Sequence, residues 1–126
     1  MADPIARRVA EQAHLIAQAR EYVTALSGRV PVVAAAVVGS VARGDFNLWS
    51  DTDVVIVAER LPTSFLERQA LLLGDAAPGI QPIGFEPAEF RAALAKRNRL
   101  AREVLEAGVT LIGDRFFRES AASLSL

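Results

Sequence analysis

The chain contains no cysteine and only one histidine, one tryptophan and one tyrosine among its 126 residues. Without cysteine, thiolate catalysis, cysteine-ligated zinc and disulfide stapling are all excluded, a composition that suits an intracellular protein. The cytoplasm is therefore the expected compartment. The one histidine, His14, lies in a helical stretch and is expected to be an exposed or packed structural residue rather than a catalyst. An excess of charge is also missing: 14 Lys and Arg face 15 Asp and Glu, for a net charge of -1. Nucleic-acid binding by bulk electrostatics is not expected from such a balance. Hydrophobic residues make up 52% of the chain, much of it alanine, yet the longest apolar run, Val30 to Val38, is too short to cross a bilayer. The start, Met-Ala-Asp-Pro-Ile, has no basic segment followed by an apolar one, so neither a membrane span nor secretion is expected.

What is present suits one domain, residues 1-126, of a size that buries about two-thirds of the surface exposed on unfolding. Ile5, Val9, Ile16, Val23 and Leu26 recur at helical spacing, and Ser27-Gly28 with Pro31 beyond supplies stop chemistry, which predicts an N-terminal helix within residues 1-28. Val32 to Val38 reads as a strand buried on both faces, and the β-branched run from Asp51 to Ala58 as a second. Ser64, three residues before Glu67, offers a capping box for a helix through Leu73, closed by Gly74 and Pro78. Gly79 to Phe85 reads as a weaker strand in which Pro82 must sit where no ladder donor is needed. Pro87 opens one long helix to about Glu106, Gly108 stops it, and Val109 to Ile112 forms a last strand. The small, polar tail 120-126 is expected to be mobile. The predicted class is α/β (α+β), a mixed sheet of about four strands with helices packed against it.

The chemistry concentrates in the link between the first two strands, Gly39-Ser40-Val41-Ala42-Arg43-Gly44 through Ser50-Asp51-Thr52-Asp53. If those strands pair antiparallel, the end of one and the start of the next share a sheet edge, so Gly39 and Ser40 face Asp51 and Asp53. Gly39 permits a sharp turn and close approach to a ligand, and the residues after it can offer free backbone N-H groups to phosphate oxygens. Ser40 adds a hydroxyl, and Arg43 can reach a triphosphate. Asp51 and Asp53, two apart on a strand, project from one face and can share Mg²⁺ or Mn²⁺ with a nucleotide. Each feature alone is ordinary: Asp-x-Asp is common on surfaces and Gly-Ser marks many turns. Their convergence is not ordinary, because clustered carboxylates repel one another unless a cation joins them.

This segment resembles the nucleotidyltransferase superfamily that includes DNA polymerase beta, and within it the minimal nucleotidyltransferases. The family pattern is Gly-Ser, ten residues, then Asp-x-Asp, and Gly39-Ser40 with Asp51 and Asp53 has that spacing. Weaker likenesses lie at Pro82 to Phe90 and at Gly108 to Leu111. The resemblance implies metal binding by Asp51 and Asp53, triphosphate contact by Gly39 and Ser40, and nucleotidyl transfer with ATP as the expected donor. It also implies a third carboxylate on the next strand. Here the corresponding position is Gln81, which a strand parallel to the second and reached by a crossover helix would bring to the same edge. A glutamine can offer a carbonyl oxygen but cannot accept a proton as a general base. Glu86 falls on the opposite strand face, Glu89 on the following helix, and Asp45 is the one nearby acid that could turn inward.

Three functions compete. The first is an antitoxin-like enzyme that adds AMP to a HEPN-domain protein, an expectation from the family and the small domain. The second is a non-catalytic module that binds nucleotide or partner, suggested by Gln81. The third is a small-molecule nucleotidyltransferase whose acceptor pocket needs a homo-oligomer. Trp49 is expected to wedge the loop before the second strand, and Arg43-Gly44-Asp45 carries no adhesion meaning in the cytoplasm. Lys96, Arg97, Arg99 and Arg102 are read as a solvated helical face.

Overall fold

The computed structural model describes residues 3-74 and 76-124. Ten elements follow in the order α1 (Pro4–Ser27), β1 (Val32–Val38), α2 (Gly39–Arg43), β2 (Thr52–Ala58), α3 (Phe65–Leu73), β3 (Ile80–Phe85), α4 (Pro87–Ala95), α5 (Arg99–Ala107), β4 (Val109–Ile112) and α6 (Asp114–Ser123). The four strands form one mixed sheet in the order β3-β2-β1-β4. β1 runs antiparallel to β2 and to β4, whereas β2 and β3, joined across α3, run parallel. Parallel neighbours need a crossover connection, and α3 supplies it.

Alternation along the central strands divides the core in two. Ala35, Val37, Val54, Ile56 and Ala58 pack with Ala19, Tyr22, Val23 and Leu26 of α1. Ala34, Ala36, Val38, Val55 and Val57 face Phe90 and Leu94 of α4, Ala101 and Val104 of α5, and Phe116 and Phe117 of α6. Alanines in β1 let helices approach the sheet closely. Only the second half of α1 is buried: Ile5 and Val9 are 74% and 60% exposed. The Tyr22 hydroxyl donates to the Leu72 carbonyl at 2.8 Å, tying α1 to the crossover helix. β3 lies at the sheet's edge, which is how the buried Pro82 is accommodated without a ladder donor.

Two expectations are corrected. The single helix expected from Pro87 to Glu106 is two, because Arg97 takes a left-handed φ of 59° and Asn98 then caps α5, accepting from Ala101 N-H at 3.1 Å. A cap-forming asparagine in mid-pattern starts a new helix even when the apolar spacing runs on. The tail from Ser120 to Ser123 is not loose: it completes α6, and Ser120 is buried with its hydroxyl donating to Phe116 O at 2.8 Å. Ser125 and Leu126 of that expected tail lie outside the described residues. At the start of α3, Ser64 accepts from Glu67 N-H at 3.4 Å, while Glu89 reaches back to Glu86 N-H at 2.7 Å at the start of α4.

Candidate active site

Pairing of β1 with β2 sets Val38 opposite Asp53, so the chain leaves β1 beside the carboxylate it will carry one strand later. Gly39 makes that turn with φ +73°, and a Cβ built on it would stand 2.7 Å from Asp53 Oδ2. Glycine is thus demanded twice, by backbone conformation and by the adjoining carboxylate. The short helix α2 follows, closed by Gly44 N-H donating to Ser40 O at 2.8 Å. The loop beyond is braced by its own polar groups: Trp49 N-H donates to Asn47 Oδ1 at 2.8 Å and Asn47 N-H to Ser50 Oγ at 3.0 Å.

Helix α1 grips this turn from the other side. Gln12 donates to Val41 O at 2.8 Å, and Arg8 donates to Gly44 O at 3.0 Å and Phe46 O at 2.6 Å while its guanidinium lies 4.9 Å from the centre of the Phe46 ring. Sequence reasoning missed both residues, since helical spacing marks apolar faces and not the targets of polar ones. A cavity of about 550 Å³ lies between this part of α1 and the loop, lined by Arg7, Arg8, Phe46 and Leu48 among others but by neither aspartate.

The carboxylates sit where β2 begins. Thr52 N-H donates to Gly79 O at 2.7 Å, which aligns the starts of β2 and β3 and brings Gln81 into register with Asp53. Asp51 is exposed and Asp53 half-buried. Partial burial pushes the Asp53 carboxyl above its ordinary pKa, and the carboxylates of Asp51 and Glu103 add to the effect, with Arg99 and Arg43 opposing. Gly39, Ser40, Asp51, Asp53 and Gln81 are thus gathered at one end of the sheet, with a concentration of negative charge that a divalent cation would relieve. Among the described residues, no group of three or more His, Cys, Asp or Glu side chains is arranged to hold a metal ion, so a cation on Asp51 and Asp53 would need phosphate and water oxygens as well.

Glu103 was not foreseen. It projects from α5, accepts from Arg43 Nη1 at 3.1 Å, and keeps its Oε2 buried without a hydrogen-bond partner. Arg99, one turn earlier, is close enough to Asp53 to oppose its upward shift, whereas Arg102 pairs outward with Glu106 at 3.2 Å. All four residues of the basic stretch, Lys96, Arg97, Arg99 and Arg102, are exposed, as a solvated face requires, although Lys96 and Arg97 lie between α4 and α5 rather than on a helix. Asp45 does not turn inward to replace the missing acid: it is exposed and accepts from Arg43 Nε at 3.2 Å. Glu86 accepts from Leu61 N-H at 2.9 Å and Glu89 pairs with Arg68 at 2.9 Å, so neither joins the aspartates. Trp49 is 90% exposed and wedges nothing, and His14 is exposed on α1.

The sequence model of the nucleotidyltransferase domain family matches residues 17–105, a span that holds the Gly39-Ser40 turn, both aspartates, Gln81 and Glu103. The chain belongs to the nucleotidyltransferase domain family. Its fold is that of a candidate nucleotidyltransferase from Sulfolobus solfataricus, whose crystal structure superposes with a TM-score of 0.62 at 18% identity, covering 82% of this chain and 84% of that one. No curated protein matches the chain significantly. As in the resemblance drawn from Gly39-Ser40 and Asp51-x-Asp53, the family places this domain among the transferases. Among the described residues no helix is long and apolar enough to cross a membrane.

Proposed function

We propose that the chain is a divalent-metal-dependent nucleotidyltransferase that moves AMP from ATP onto a protein acceptor, a HEPN-domain toxin partner being the acceptor class favoured by the family likeness. The observation carrying this reading is the meeting of Gly39 with Asp53 beside Ser40 and Asp51: a backbone turn suited to phosphate lies against paired carboxylates that repel without a cation. Mg²⁺ or Mn²⁺ would be held by Asp51 and Asp53, whose hard oxygens suit either ion. When bound it neutralises charge on the transferring phosphoryl group. The chain's own part is positional: Gly39 and Ser40 receive the triphosphate, and Arg43 steadies its charge.

A protein acceptor is favoured by the surface beside the site. Leu48 and Trp49 are 95% and 90% exposed next to the exposed Asp51, a setting more suited to a macromolecule than to an enclosed small acceptor. The direct assay incubates the chain with labelled ATP, Mg²⁺ and a HEPN-domain protein. Label on the acceptor, abolished by Asp51→Asn, supports the reading; no label on any acceptor at high enzyme concentration overturns the catalytic part of it.

A second reading keeps binding and drops turnover. Its support is Gln81, in register with Asp53 where a third carboxylate would ordinarily stand and unable to take a proton from an acceptor hydroxyl. Nucleotide binding without label transfer, and complex formation with the partner, is the outcome that favours it. Gln81→Asp raising transfer would identify that position as the lost element.

A further inference from the structure

Arg43 lies on the phosphate turn, but two carboxylates from separate parts of the chain hold it. Its Nε donates to Asp45 Oδ2 at 3.2 Å and its Nη1 to Glu103 Oε1 at 3.1 Å. Among the described residues its Nη2 has no partner. Asp45 is a neighbour in sequence and its side chain is 64% exposed; Glu103 arrives from α5, sixty positions on, and its side chain is only 19% exposed. The more enclosed of the two contacts is therefore the long-range one.

Glu103 is also costly where it stands. Its Oε2 is buried without a partner, and its charge lies near enough to Asp53 to disfavour that carboxylate. A buried carboxylate oxygen left unbonded costs free energy comparable to a lost hydrogen bond, and a glutamine or an apolar residue would remove the repulsion. The contact Glu103 makes in return is with Arg43. We infer that Glu103 is a positioning residue: it fixes the Arg43 guanidinium over the phosphate turn with Nη2 available for a nucleoside triphosphate. This role rests on the nucleotide-binding reading above and goes beyond it by assigning a residue outside the Gly-Ser and Asp-x-Asp motifs.

Plain electrostatics gives the opposite expectation to positioning, which makes the test decisive. Removing a negative charge near a triphosphate strengthens binding if charge alone matters; losing the clamp weakens it if orientation matters. The experiment measures MgATP affinity of the full chain by isothermal titration for the wild type, Glu103→Ala, Glu103→Gln, Arg43→Ala and the Glu103→Ala/Arg43→Ala double variant, with circular dichroism confirming folding of each. The expected result is a loss on the order of tenfold for Glu103→Ala. Glu103→Gln, which keeps an acceptor for Nη1, recovers most of that loss. The double variant binds no worse than Arg43→Ala, as two residues acting through one contact require. Nitrogen NMR of the Arg43 Nη1 group, the one that Glu103 holds, supplies a readout independent of nucleotide in the ligand-free protein: slow rotation and N-H exchange in the wild type and fast in Glu103→Ala. Unchanged or tighter MgATP binding by Glu103→Ala, or additive losses in the double variant, overturns the positioning role while leaving the nucleotide site intact. Wild-type protein that binds no MgATP overturns the nucleotide-binding reading itself, and the positioning role with it.

Discussion

Gly39 and Asp53 approach so closely that one hydrogen in place of a methyl group separates a working turn from a collision: a Cβ on Gly39 would lie 2.7 Å from Asp53 Oδ2. Gly39→Ala must pay for a left-handed backbone and displace that carboxylate. The left-handed conformation alone costs about 1–2 kcal/mol for a residue with a Cβ. The substitution is therefore expected to lower stability by at least that amount in urea titrations. It should also abolish Mg²⁺-dependent nucleotide binding, whereas an alanine at the exposed Gly79, which shares the left-handed backbone with φ +90° but where a Cβ meets nothing, should show the backbone cost in stability and keep binding.

Asp53 should couple stability to pH. Burial and the carboxylates of Asp51 and Glu103 raise its folded-state pKa above the unfolded value, so the folded protein binds the proton more tightly than the unfolded chain. Stability attributable to Asp53 is then greatest below the unfolded pKa and declines as pH rises through the folded one. Asp53→Asn is expected to raise the melting temperature of the metal-free protein at neutral pH and to have no such effect below the carboxylate range. Added Mg²⁺ should raise the melting temperature of the wild type but not of the variant. An Asp53→Asn variant less stable than the wild type at neutral pH without metal would contradict this account of the charge cluster.

The distribution of what could be read in advance follows from the range of each interaction. Strand pairing was legible because β-branched runs and the two-residue period are local, and because a crossover helix between Asp53 and Gln81 forces the parallel arrangement that puts them in register. The Gly-Ser turn and Asp-x-Asp were legible because one tight antiparallel link brings them together. Three features were not. The apolar spacing of Phe90, Leu94, Ala101 and Val104 is continuous with one helix, and only the backbone at Arg97 and the cap by Asn98 break it. Helix α6 hides its apolar content in the adjacent pair Phe116-Phe117, which periodicity does not separate from a strand or a loop. Glu103 lay unseen because nothing local tells which turn of a charged helix will face a site sixty residues away.

That hidden helix contributes heavily to the core. Phe90 is fully buried with Phe85, Phe116 and Phe117 around it, ring centres 5.4 to 5.8 Å away. Phe117→Ala is expected to destabilise the fold by about 3–5 kcal/mol, read from the midpoint of chemical unfolding. A loss under ~1 kcal/mol would mean that α6 is not docked on the sheet.

The cap at Asn98 offers a gentler probe of the same face. Asn98→Ala removes the acceptor for Ala101 N-H and should cost about 1 kcal/mol. Since α5 carries Arg99 and Glu103, hydrogen exchange is expected to quicken in its first turn, with little change in α1. Equal acceleration throughout the chain would show that the cap supports the whole fold rather than α5.

The most direct test of the central claim is a crystal structure of the chain with ATP and Mg²⁺. The account predicts a triphosphate lying between Ser40 and the two aspartates, with the cation on Asp51 and Asp53 and the Arg43 guanidinium against phosphate. A triphosphate lodged elsewhere, for instance in the cavity between α1 and the loop at Phe46, or a cation that leaves both aspartates untouched, would contradict it.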